Sequence, residues 1–153
     1  MDGKRVAIVD GLRTPFVKYA AEYKDLSALD LGKMVVGELI ERAHVDRDEI
    51  DQIVFGQVAA HMETHNIARE IVLGCALPRS IDAFSVSRAC ATSSQSLIAG
   101  AMSILCGDAE VAITGGAESS SNPPIKISEQ LTAALVSANG AKTLKDKAKP
   151  FLE

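Results

Sequence analysis

At 153 residues, 47% hydrophobic but only 4% aromatic and without Trp, the chain can bury one aliphatic core of Ala, Val, Ile and Leu. That favours α/β layers over an aromatic-rich β-sandwich. A formal net charge of -4 with both signs interspersed presents no broad basic face, which argues against nucleic acid as a partner.

The opening residues, Met1 to Val6, are too polar for a signal peptide, and no run approaches the ~20 apolar residues of a membrane span. The expected location is therefore the cytoplasm. Cys75, Cys90 and Cys106 are odd in number and widely spaced, which argues against a disulfide framework or a zinc knuckle. Each is read as a free thiol.

In chain order, Val6-Ala7-Ile8-Val9 reads as a buried first strand, closed by Asp10-Gly11 and Thr14-Pro15. Ser27 and Asp30 then form a capping-box pattern ahead of Leu31, Val35, Leu39 and Ala43, which repeat at helical spacing. Ile53-Val54-Phe55-Gly56 predicts a second strand. Asn66 predicts the N-cap of a helix burying Ile67, Ala68, Ile71, Val72 and Cys75 until Pro78. Cys75 is a packing residue on this reading.

A third strand is expected at Ala83-Phe84-Ser85-Val86, followed by Cys90 and a helix whose apolar face is traced by Leu97, Ile98, Ala101, Met102 and Leu105. Cys106 falls in its last turn, before Gly107. A fourth strand, Val111-Ala112-Ile113-Thr114, ends in Gly115-Gly116. Alternating strands and helices predict a layered, mainly parallel sheet with helices on both faces. Past Asn122-Pro123-Pro124 a weaker helix runs from Ser128 through Leu135, with no fifth buried strand, so the sheet is expected to be incomplete. Lys142, Lys145, Lys147 and Lys149 read as a solvated helix face, or as a site for an anionic ligand.

Ligands of open parallel sheets lie beyond the carboxyl ends of the strands, and Cys90 falls between such an end and a helix start. Helix N-terminal amides stabilise a thiolate and can donate to an oxyanion. The small residues Ala91, Thr92, Ser93 and Ser94 either admit a ligand or cap the helix. Spacing alone leaves Cys90 open between a nucleophile and an inert thiol. His44 ends an amphipathic helix and is expected to be exposed. His61-Met62-Glu63-Thr64-His65 has its Glu displaced from the metalloprotease pattern, so no metal site is expected. Gly115-Gly116 lacks the spacing of a dinucleotide or phosphate loop and reads as a tight turn.

Arg13-Thr14-Pro15-Phe16, Asp30-Leu31-Gly32, Asn66-Ile67-Ala68-Arg69, Ser87-Arg88-Ala89-Cys90 and Gly115-Gly116-Ala117-Glu118-Ser119 together resemble the thiolase family in order and spacing. The resemblance spans roughly Arg5 to Pro124 and is strongest to the fatty-acid oxidation branch, the 3-ketoacyl-CoA thiolases of trifunctional complexes. Two departures from many thiolases, Ala91-Thr92-Ser93 in place of Gly-Ser-Gly and Ser87 in place of Asn, resemble that branch.

The resemblance implies that Cys90 attacks a 3-ketoacyl-CoA, releases acetyl-CoA and passes the shortened acyl group to a new CoA in fatty-acid β-oxidation. It implies no metal or redox cofactor, with coenzyme A and acyl-CoA as substrates. It also implies a homodimer and a hetero-complex with a hydratase-dehydrogenase subunit. Residues 1–122 then correspond to an N-terminal thiolase half-domain, and 123–153 to the start of a CoA-contacting loop domain. Family members continue into a fifth strand and a second half that supplies a Gly-His-Pro histidine and a second cysteine. Neither has a counterpart in this sequence, so little turnover is expected from this chain alone. Two rivals are a ketoacyl-ACP synthase of fatty-acid synthesis, whose related fold shares Ala-Cys and Gly-Gly-Ala-Glu, and a non-catalytic half-domain acting in dimerisation.

Overall fold

The computed structural model describes residues 5–124, 127–141 and 143. The chain divides into two compact units, residues 1–123 and 124–153. In the first, α1 (Ala28–Ala43), a 3-10 turn (Arg47–Glu49), β1 (Gln52–Gly56), α2 (Ile67–Gly74), β2 (Asp82–Val86), α3 (Thr92–Cys106) and β3 (Ala112–Gly116) follow in order. The three strands form one parallel sheet in the order β2-β1-β3, with Phe55 opposite Ser85 on one side and Gly115 on the other.

β1 is buried along its whole length, because it is hydrogen-bonded on both edges and covered on both faces. Ile53 and Phe55 join a core with Val36 and Ile40 of α1 and Ile67, Ile71 and Val72 of α2. Gly32 of α1 lets these layers close up, since a Cβ there would lie 2.9 Å from Ile71 Cδ1. α3 covers the opposite face, where Gly100 packs directly on Thr114 and Ala112. Asp51 aligns the strand starts. Its carboxylate accepts from the Glu110 and Val111 amides (2.7 and 3.0 Å), and its carbonyl accepts from the Asp82 amide (3.0 Å). The Val111 and Glu110 amides also hold the Asp51 carboxyl below its ordinary range.

The capping signals are realised. Ser27 Oγ accepts from the Asp30 amide while Asp30 Oδ2 accepts from the Ser27 amide, both at 3.1 Å. Asn66 Oδ1 accepts from the Arg69 amide (3.1 Å), and Asn66 Nδ2 donates to Ala83 O (2.9 Å), tying α2 to β2. His44, as expected, is exposed; it terminates α1 in the left-handed region at φ 51°. α2 ends at Gly74, earlier than Pro78. Cys75 is its half-buried C-cap, packed against the core, and burial pushes its thiol pKa up.

Three expectations are corrected. Val6–Val9 is not a strand: it is unpaired chain with Ile8 76% and Val9 85% exposed. An apolar tetrapeptide becomes a strand only against a partner edge, and the described residues bring none to it. The sheet therefore has three strands among the described residues, not four. The second correction concerns α3, whose buried positions are Thr92, Ser96 and Gly100, whereas Leu97, Ile98 and Met102 are exposed. Small residues allow the helix to lie close on the sheet, so the larger ones point away.

Thirdly, the stretch Ala89–Cys106 reaches a mean hydropathy of 1.3 over 18 residues, enough by length and composition for a membrane span. In this structure its polar Thr92 and Ser96 are buried on the side that packs against the sheet. In the second unit, α4 (Glu129–Gly140) is longer than expected, starts from Ser128 as N-cap and buries none of its residues. The lysine run from Lys142 to Lys149 lies outside the described residues.

Candidate active site at the carboxyl ends of the strands

β1 and β3 end in glycine for a steric reason. A Cβ on Gly56 would collide with Val86 O and Thr92 Cγ2, and one on Gly116 would lie 2.6 Å from Ser93 Oγ. The two glycines let the first turn of α3 settle against the strand ends, which brings the preceding turn with it. Ala89 adopts φ 46°, a left-handed conformation uncommon for a residue with a side chain. Thr92 locks this turn: its Oγ1 accepts from the Arg88 amide (2.8 Å) and donates to Ala89 O (2.7 Å). Arg88 Nη1 donates to Gln95 Oε1 (2.7 Å), holding the segment along α3.

Cys90 emerges from this turn as an exposed free thiol. It lines an open cleft of about 250 Å³ with Ala89, Thr92, Ser93, Gly116 and Val58, among others. α3 starts from Ala91 with no side-chain hydrogen bond to its first amides. The small hydroxyl side chains therefore do not cap the start of α3. Thr92 braces the turn, and Ser96 Oγ donates to Ser93 O (2.7 Å). An exposed sulfur beside uncapped helix-start amides can hold an acyl group and present donors to a carbonyl oxygen.

Cys75 and Cys106 do not join Cys90. Cys75 Sγ donates to Lys33 O (3.5 Å), away from the cleft, and Cys106 is exposed in the last turn of α3. Neither His61 nor His65 lines the cleft. Arg69 and Ser119, from two of the other motifs, brace the architecture. Arg69 Nη1 donates to Arg79 O and Ile81 O (3.1 and 3.2 Å), and buried Ser119 donates to Leu26 O (2.6 Å). Arg13 stacks over the Phe16 ring at 4.2 Å, and Arg13 and Thr14 line a second cleft of about 150 Å³. Sequence reasoning assigned no role to Glu118, whose Oε2 accepts from the Val58 and Ala59 amides (2.7 and 3.1 Å). Gly115-Gly116, expected as a tight turn, are instead the last paired residues of β3, and the place of Glu118 two residues beyond them was the available signal.

Comparison with known proteins agrees with this geometry. The family profile described as "Thiolase, N-terminal domain" matches residues 6–149. The chain belongs to the thiolase family. It is 54% identical over 149 residues to a 3-ketoacyl-CoA thiolase of Pseudoalteromonas translucida, covering 97% of this chain and 34% of that protein. It is 52% identical over 149 residues to a 3-ketoacyl-CoA thiolase of Yersinia pestis, with the same coverage. The chain thus spans about a third of the length of these thiolases.

Among solved structures, a Bacillus anthracis acetyl-CoA acetyltransferase superposes with a TM-score of 0.76 at 26% identity, over 79% of this chain and 31% of that one. The Acat5 thiolase of Ascaris suum, solved in complex with coenzyme A, superposes with a TM-score of 0.73 at 30% identity, over 77% and 31% of the two chains. The thiolase fold expected from the motifs is therefore the fold observed, as an α/β half.

Proposed function

We propose that this chain carries the acyl-accepting half-site of a 3-ketoacyl-CoA thiolase of fatty-acid β-oxidation, with Cys90 as the nucleophile. The observation that supports it most directly is the exposed Cys90 thiol in a cleft at the strand ends, beside the uncapped start of α3. The Cys90 thiolate adds to the 3-keto carbonyl. The C2–C3 bond then breaks, leaving the acyl group on sulfur, and the acetyl-CoA enolate takes up a proton. In the second half-reaction the CoA thiol loses its proton to a base, attacks the acyl thioester and returns the Cys90 thiolate. Apart from these proton transfers, the bonds formed and broken are carbon–sulfur and carbon–carbon with no net change of oxidation state, so the chemistry calls for no metal or redox cofactor.

No described histidine lines the cleft. The base is accordingly assigned to the remainder of a protein of the relatives' length, which is also where the rest of the CoA site would lie. Residues 123–153 are read as the start of that CoA-contacting portion. The whole enzyme is read as a homodimer that also engages a hydratase-dehydrogenase subunit. The 52–54% identity to 3-ketoacyl-CoA thiolases supports this reading over a ketoacyl-ACP synthase.

The test is intact-mass measurement of the chain after incubation with acetoacetyl-CoA, beside a Cys90→Ala variant. A single acetyl adduct absent from the variant is expected. An adduct that persists in Cys90→Ala, or none on demonstrably folded chain, removes Cys90 from the nucleophile role in this half-site.

A further inference from the structure

Two loops leave the strand ends around Cys90, one after β1 and one after β3, and one side chain joins them. The backbone ladder runs a single residue past β3, where the Ala117 amide donates to Gly56 O (3.0 Å). Beyond it, Glu118 takes over: one carboxylate oxygen accepts from the consecutive Val58 and Ala59 amides at 2.7 and 3.1 Å. Charge-assisted bonds of this kind are stronger and more directional than neutral ones. Glu118 makes no ion pair among the described residues, so its carboxylate is committed to the loop. The far end of that loop is tied separately, by Gln57 Nε2 donating to Thr64 O (3.1 Å). Val58, 54% exposed, lines the Cys90 cleft on the segment that Glu118 holds. Gly116, Ala117 and Glu118 also line the second cleft beside Arg13, so this short segment borders both spaces.

We propose that Glu118 is a positioning residue that holds the Gly56–Ala59 wall against the Cys90 cleft and thereby limits the bulk of the acyl group Cys90 accepts. The acyl part of this statement rests on Cys90 being the acyl carrier. Glu118 touches backbone amides rather than the reacting thiol, so its loss should change which reagents reach Cys90 and not how reactive the sulfur is.

The test compares alkylation of Cys90 by N-methylmaleimide and by N-(1-pyrenyl)maleimide, read at the Cys90 peptide by mass spectrometry so that Cys75 and Cys106 do not interfere. In E118A the bulky-to-small rate ratio should rise several-fold while the small-reagent rate stays put. E118Q, which keeps an acceptor oxygen, should return the ratio close to that of the unmodified chain. V58A should raise the ratio with the clamp intact. An unchanged ratio in E118A, or an equal change for both reagents, overturns the proposal. Should E118A fail to fold, E118D, which keeps the charge but withdraws the oxygens by one methylene, must show the raised ratio or the proposal falls. The two readings separate cleanly. A ratio that responds as expected in a chain that forms no acyl adduct with acetoacetyl-CoA overturns only the acyl role, whereas an adduct with an unresponsive ratio overturns only the role of Glu118.

Discussion

Three cysteines of one chain sit in three environments, and the differences are chemical. Cys75 is half-buried, its thiol donates to Lys33 O, and burial raises its pKa. Thiolates react and thiols do not. Cys90 is exposed in its cleft. At mildly alkaline pH, peptide-resolved iodoacetamide labelling should therefore modify Cys90 well before Cys75, and equal rates would contradict the packing assigned to Cys75. The sequence already indicated Cys75 as core, through its place on the apolar face of α2. It left Cys90 ambiguous, because exposure of a thiol depends on what the rest of the chain places above it.

At the scale of elements, capping and close packing make separate predictions. The Asp30 carboxyl is lowered to about 2, first by its hydrogen bond from the Ser27 hydroxyl and then by Lys33, whose ammonium lies 2.9 Å away. The folded value lies below the ordinary aspartate value of about 3.9, so the ionised carboxylate stabilises the fold. That contribution is fully present above about pH 4 and is lost as pH falls toward 2. Ser27→Ala should lower stability by about 1 kcal/mol at neutral pH, and urea titrations should show the difference shrinking across that acid window. A constant difference down to pH 2 would disconnect the cap from the carboxylate.

α3 gives the second element-scale prediction. A Cβ on Gly100 would collide with Thr114 of β3, so Gly100→Val should lift the helix and destabilise the fold by roughly 1–3 kcal/mol. Ile98, 52% exposed on the other side, should tolerate replacement by Ala within about 0.5 kcal/mol. The reverse order of effects in denaturant titrations would mean that α3 lies on the sheet through its large residues. The hydrophobic repeat pointed to the wrong face here, since apolar periodicity marks a face that seeks burial and cannot say against what. The contact with the sheet was carried by Ser96 and Gly100, whose only signal is small size.

For the whole molecule, the prediction follows from the cleft and the length of the chain. The cleft has no described histidine in its lining, and the chain covers about a third of the thiolases it resembles. The purified chain should show little or no sustained thiolysis of acetoacetyl-CoA in a coupled CoA assay, even where a single acyl adduct forms. Steady turnover at the rate of a complete enzyme would mean that these 153 residues supply a base of their own.

The sequence by itself determined the caps at Ser27 and Asn66, the parallel β-α order, the glycines at the strand ends and the family. The caps and the strand-helix order depend on short-range chemistry, a side chain reaching its neighbour's amide or apolar residues recurring at one spacing. The glycines are legible as residues but required by tertiary contacts with Val86, Thr92 and Ser93. Only the tertiary structure decided that Val6–Val9 stays unpaired, that α3 turns its small face to the sheet, and that Glu118 reaches 60 residues back to the Val58 amide. Those outcomes depend on which partner surface is available, and no local pattern encodes the partner.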